Sequence, residues 1–318
     1  GRWLESLEVL DKDPFVFSAD AEAIRIKNYY RIGTDEYLAK ARSKINSARR
    51  IYKGDIRFIS LFYSFEITRC LLSGSDYEID SQVLEIADLL KAELKSYKNV
   101  SDEITCLSIF FMEGEEQVRA AKAFSANGSS DSLYPLVALK AGVLSERDAF
   151  EQFFEFADKE VPLEVLKYFA SMLTEDDVKM SLYEHLNAYD GILYVDSDTD
   201  MQEELKIAYE RGRPSSISFD FDNDGIEDLS GIFDFGELLS VSIKPLGTEI
   251  IYSPYPYAGR AVYSENGTVL IYEFSKNAAQ ISPIAFDIPD VLQVEDTENR
   301  FYVPFIKSNW NDRANLDY

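Results

Sequence analysis

The sequence holds one histidine, His185, and two cysteines, Cys70 and Cys106, among 318 residues. A single imidazole leaves no basis for a His-based zinc site and little for a Ser-His-Asp triad. The cysteines sit in apolar helical stretches without metal-ligand spacing, so buried free thiols are expected. No apolar run reaches the roughly 18 residues of a membrane-spanning helix. No signal-like segment is visible. The opening Gly1-Arg-Trp-Leu4 reads as a mature or trimmed N-terminus, so the absence of a signal here says little. A Gly-rich phosphate loop is also lacking, since neither Gly212-Arg-Pro-Ser215 nor Gly247-Thr-Glu249 has the required pattern. Positive charge is scarce: 32 basic residues face 57 acidic ones, for a net charge of −25. Such a surface repels phosphate backbones, which argues against nucleic acid as a partner, and it attracts divalent cations.

What is present is enough apolar material for a sizeable core: 46% of residues are hydrophobic. From about residue 18 to 190 the apolar spacing is helical, at i, i+3, i+4 and i+7. Breaks with recognisable caps separate the stretches. Thr34, Asp55, Ser81, Ser101, Asp131, Ser145 and Thr174 read as helix starts, and Gly54, Gly74 and Asn127-Gly128 as stops. Ser145-Glu-Arg-Asp148 and Thr174-Glu-Asp-Asp177 have the spacing of acidic capping boxes. Pro162 suits a first helical turn. Around ten helices with short links imply antiparallel neighbours, as in a bundle or a helix-hairpin solenoid.

The segments Val118-Arg-Ala-Ala-Lys-Ala-Phe124 and Ala149-Phe-Glu-Gln-Phe-Phe-Glu-Phe156 resemble the tight packing positions of tetratricopeptide repeats. That resemblance implies an N-terminal all-α helix-hairpin domain over residues 1–190. Its surface would be the one offered to a protein partner.

After Gly191 the texture turns to alternation. Ile217-Ser-Phe219, Val241-Ser-Ile243, Ile250-Ile-Tyr252, Ala261-Val-Tyr263 and Val269-Leu-Ile-Tyr272 read as strands. Asn266-Gly267 signals a tight hairpin. Pro283, Pro289 and Pro304 suggest a final irregular segment with edge strands. The expected class is therefore α+β, with an antiparallel β domain over residues 191–318.

Within that domain a segment repeats without a gap, at the offset of 24 residues that separates Asp196 from Asp220. Asp196, Asp198 and Asp200 fall on Asp220, Asp222 and Asp224. Tyr209 falls on Phe233, Gly212 on Gly236, and Ile217 on Val241. Each unit reads as a loop, a strand, a Gly turn and a second strand. Aspartates at alternate positions repel one another unless a hard cation collects their oxygens. In the second copy Asp220, Asp222 and Asp224 would supply carboxylates and Ile226 its carbonyl. Asp228 would close the shell, and Gly225 permits the sharp turn. An all-oxygen donor set without Cys or His points to Ca²⁺. In the first copy Asp196, Asp198, Asp200 and Glu204 occupy the same places. Met201 stands where the turn glycine should be, which implies a weaker site or a metal-free relic.

Asp220-Phe-Asp-Asn-Asp-Gly-Ile-Glu-Asp-Leu229 resembles the calcium loop of FG-GAP repeats in integrin α chains. It is also similar to the loops of dockerins and thrombospondin type 3 repeats. It departs from the EF-hand, having Gly231 where that loop carries Glu. The aromatic-x-x-Gly turn followed by a strand resembles MORN-type hairpin repeats. These resemblances imply Ca²⁺ as a structural ion in a secreted, periplasmic or envelope protein.

One enzymatic rival uses the same residues. Leu193-Tyr-Val-Asp-Ser-Asp-Thr199 resembles the first motif of haloacid-dehalogenase-type phosphatases. The recurrence 24 residues later leaves no room for the helix of a βα unit. The sequence-level expectation is a non-catalytic calcium-binding interaction protein outside the cytoplasm. The alternatives are a calcium-stabilised hydrolase of envelope or extracellular polymers, and a carbohydrate-binding protein using the Tyr-rich stretch at 251–257.

Overall fold

The computed structural model describes residues 3–12, 17–74, 78–157, 159–196, 203–220, 224–234, 236–265, 268–276, 286–287 and 305–306. The chain is α+β, with helices in its N-terminal part followed by a largely antiparallel sheet. It forms two compact units.

The helices of the first unit are α1 (Trp3–Lys12), α2 (Ala19–Ile32), α3 (Asp35–Ile51), α4 (Arg57–Ser73), α5 (Ser81–Leu94), α6 (Asp102–Phe110), α7 (Gly114–Ala126), α8 (Tyr134–Lys140) and α9 (Glu146–Ala157). The C-terminal part of α10 (Leu163–Met172) belongs to it as well. Several starts fall on the expected caps. Ser101 accepts the Ile104 N–H at 3.3 Å, and Ser145 exchanges two hydrogen bonds with Asp148, at 2.7 and 3.1 Å. Other starts shift: Asp80 rather than Ser81 caps α5, Ile56 rather than Asp55 precedes α4, and Leu133, two residues after Asp131, precedes α8. Most helices pack on the next in sequence, and α2, α4, α6 and α8 also touch in that order. The middle helix of such an array is covered on several sides, which explains why α4 buries apolar residues around most of its circumference. Phe58, Ile59, Phe62, Tyr63, Phe65, Ile67, Cys70 and Leu71 of α4 are all buried. Phe62 and Tyr63 both meet the Phe111 ring, with centroids 6.3 and 5.8 Å apart.

The second unit holds the start of α10, helix α11 (Asp176–Asn187) and a nine-stranded sheet. Its strands are β1 (Glu160–Pro162), β2 (Gly191–Val195), β3 (Leu205–Glu210), β4 (Arg213–Phe219), β5 (Leu229–Asp234), β6 (Glu237–Ile243), β7 (Thr248–Tyr252), β8 (Ala258–Glu265) and β9 (Thr268–Glu273). They lie side by side in chain order. The β1–β2 pair is parallel, and every later pair is antiparallel. Residues 158–166 and 173–190, helical by periodicity, thus belong to the sheet-bearing unit. Pro162 ends β1 one residue before α10 begins, instead of sitting inside the helix. A separate two-stranded ladder joins β10 (Phe286–Asp287) to β11 (Phe305–Ile306). Asn266-Gly267, Pro283, Pro289 and Pro304 lie outside the described residues. The Glu265↔Thr268 pair nonetheless brackets a two-residue β8–β9 connection.

One face of the sheet carries the core. Leu205, Ile207 and Tyr209 alternate with the exposed Lys206 and Glu210, and Leu229, Gly231 and Phe233 repeat that alternation on β5. Each large apolar side chain so buried contributes about 1.5–3 kcal/mol. At the far edge the pattern ends: all six residues of β9 are exposed.

Candidate metal loops

The two predicted loops join β2 to β3 and β4 to β5. Their flanking hairpins are copies in three dimensions. In the first, Ala208 pairs with Ser216 and Tyr209 with Pro214, across a bulge. In the second, Ile232 pairs with Ser240 and Phe233 with Leu238, across a bulge at the same place. The 24-residue unit is therefore a bulged β-hairpin with a buried aromatic at the bulge. A third copy follows without the offset or the aspartates: Ile251 pairs with Arg260 and Tyr252 with Ala258, again across a bulge. Tyr209, Phe233 and Tyr252 are all buried. Sequence reasoning missed this copy, because the aspartate loop that flags the other two is replaced by the short turn Lys244–Leu246 and Gly247.

In the second loop Asp220 is buried, with 8% of its surface exposed. Its Oδ1 accepts the Asp224 N–H at 3.3 Å and its Oδ2 the Gly225 N–H at 2.8 Å. Asp224 Oδ1 accepts the Ile226 N–H at 2.9 Å. Gly225 has φ +82°, the left-handed conformation for which its lack of a Cβ suits it. Asp228 is tied at both ends: its N–H donates to the Phe219 carbonyl and its carbonyl accepts the Lys244 N–H, both at 2.8 Å. Glu227, outside the presumed donor set, lies 3.7 Å from the Lys244 ammonium.

The first loop meets the second through the backbone, where the Asp220 N–H donates to the Glu204 carbonyl at 2.9 Å. Asp196 directly follows β2 and is half-buried. Asp198, Asp200 and Met201 of this loop, and Asp222 of the second, lie outside the described residues. Among the described residues no three His, Cys, Asp or Glu side chains gather as a metal site. The donors that are described still fit a hard cation in kind. All are oxygens, the turn glycine has the required φ, and Asp220 points its carboxylate into the turn.

The other sequence-level candidates fall apart from this region. Cys70 and Cys106 are buried free thiols, as expected. In the Tyr-rich turn between β7 and β8, Tyr252 is buried against Tyr255, with ring centroids 5.1 Å apart, and Tyr257 is half-buried. Tyr252 and Tyr255 thus pack on each other within the hairpin. No protein-family model, curated protein or solved structure matches the chain.

Proposed function

We propose that the chain is a non-catalytic interaction protein of an extracytoplasmic compartment, in which Ca²⁺ orders the loops between duplicated β-hairpins. The observation that carries this reading is the Asp220 carboxylate, buried and closed onto the Asp224 and Gly225 amides. A turn closed in this way is one in which a loop's successive aspartates can collect around a single cation. Ca²⁺ there offsets their mutual repulsion and holds the β4–β5 connection, and through it the strand register. Loops of this chemistry outside cells bind with Kd of about 10⁻⁴ to 10⁻³ M. A compartment rich in Ca²⁺ follows from that affinity.

The helical unit, with α2, α4, α6 and α8 in a row, resembles a helix-hairpin array and would supply the surface for a protein partner. Against the phosphatase resemblance stands the sheet order. The strand ending at Val195 runs antiparallel to the next strand, where a doubly wound sheet needs a parallel one. The test is calorimetric titration with Ca²⁺ on the protein and on Asp222→Ala. Uptake by the parent and loss in the variant are expected. No uptake by the parent at millimolar Ca²⁺ sinks the reading.

A further inference from the structure

Five of the 32 basic residues of a chain with net charge −25 share one helix. Lys40, Arg42, Lys44, Arg49 and Arg50 lie on α3, and Lys53 follows in the turn after it. Arg42 is spent internally: it is buried and bonded to Glu66 at 2.8 and 3.0 Å and to Asp80 at 3.1 Å. The others line two cavities along the same helix. One, of about 340 Å³, is bounded by Arg49, Arg50, Lys53, Glu93 and Tyr97. The other, of about 540 Å³, is bounded by Tyr29, Ala39, Lys40, Ser43, Lys44 and Ser47.

Helical spacing joins them. Positions 40, 43, 47 and 50 recur at three and four residues, so they form one stripe running about 15 Å along the axis. Ser43 and Ser47, in its middle, are small and exposed.

The carboxylates facing this stripe are already committed. Glu36 holds Lys40 at 2.6 Å, Glu22 holds Lys44 at 2.9 Å, and Glu93 holds Arg49 at 2.6 Å. Asp55, beyond the turn, is taken by Arg57. Arg50 and Lys53, both exposed, have no hydrogen-bond or ion-pair partner among the described residues. Two uncompensated cations lining one cavity are complementary to carboxylates on a short extended chain. At about 3.3 Å per residue, such a chain covers the stripe in four or five residues.

We propose that this face of α3 docks an acidic peptide segment of a partner protein, with its carboxylates on Arg50 and Lys53. The proposal rests on the helical unit being the partner-binding unit and not on the calcium loops, so the two can fail separately.

The test uses fluorescein-labelled hexaglutamate, read by anisotropy, against the full chain. Binding is expected at low ionic strength and should weaken as salt rises. It should fall about tenfold or more in Arg50→Glu/Lys53→Glu, where two charge-assisted contacts become repulsive. The Gln/Gln double variant keeps the test open if the Glu variant loses its helical circular dichroism. EDTA should leave binding unchanged, and calcium uptake is measured separately on the same double variant. No binding of hexaglutamate, equal binding by parent and variants, or equal affinity for a single-stranded oligonucleotide would each overturn the proposal.

Discussion

Asp220 accepts the Gly225 N–H at 2.8 Å, so the first aspartate of the loop also anchors its own turn. This separates two roles that the sequence alone merges. Asp220→Ala removes a structural turn as well as a ligand. It should cost about 1 kcal/mol in EDTA, since Asp224 and Gly225 are exposed and water takes over their N–H groups. Asp222→Ala should leave stability in EDTA unchanged and abolish only the gain on adding Ca²⁺. With a Kd of about 1 mM, about 10 mM Ca²⁺ adds about 1.4 kcal/mol to the parent. Thermal unfolding with and without Ca²⁺ reads both. An equal loss in both variants in EDTA contradicts the division of roles.

The equivalent turn glycines, Gly212 and Gly236, should respond unequally to alanine. Both have positive φ, +68° and +85°. A Cβ on Gly212 would lie 2.2 Å from the Asn187 carbonyl oxygen at the end of α11, whereas on Gly236 the nearest atom is a Pro214 carbon at 3.5 Å. Gly236→Ala should cost about 1–2 kcal/mol, from backbone conformation. Gly212→Ala adds an overpacking cost of about 1–3 kcal/mol. Urea denaturation of the two variants measures the difference, and equal midpoints would mean that α11 moves aside freely.

In the helical unit Glu66 is buried and takes hydrogen bonds from Arg42 and from the Tyr30 hydroxyl at 3.0 Å. Burial works against the Arg42 charge, but the hydrogen bonds and charge of Glu66 outweigh it and raise the guanidinium pKa. A guanidinium is basic enough to stay charged even when this partner is removed. Glu66→Gln should cost about 3–5 kcal/mol, the penalty of an unpaired buried charge. A denaturation midpoint close to that of the parent would show that Asp80 alone holds Arg42.

Burial, then Glu66, pushes the Cys70 thiol up to about 11, and burial with Asp131 raises Cys106 further still. Neither thiol is nucleophilic at neutral pH. A thiol-specific reagent at pH 8 should label neither cysteine in the native protein and both in denaturant. Fast native labelling of either one would place it at the surface.

Asp131 supplies a pH test. Burial raises its carboxyl above 3.8, opposed by the hydrogen bond from the Leu133 N–H. The folded state thus binds this proton more tightly than the unfolded state. Its contribution is present below 3.8 and is lost as pH rises through the raised value. Asp131→Asn should lack that loss, so its stability relative to the parent should rise across this window. Denaturation midpoints between pH 3 and pH 7 check the sign. A difference independent of pH would mean that the carboxyl does not titrate on folding.

The sequence by itself determined the elements that carry a period. Helical spacing placed most helices of the first unit to within a residue or two, because amphipathic faces and caps are local. The strands of the duplicated hairpins were legible for the same reason, down to the offset that aligns Tyr209 with Phe233. The aspartates at 220, 224 and 228 were recognisable as a loop, but not the carboxylate of Asp220 turning inward onto Gly225. Tertiary structure alone decided what has no period. Three residues, Glu160–Pro162, became a strand because β2 offered a parallel edge, a pairing across some thirty positions. The third hairpin lost its aspartates and kept its bulge, so only its register reveals it. The cations of α3 are visible in the sequence, yet their pairing is not. Which of them is buried on Glu66, which is held by Glu93 and which is left facing solvent depends on where distant helices bring their carboxylates.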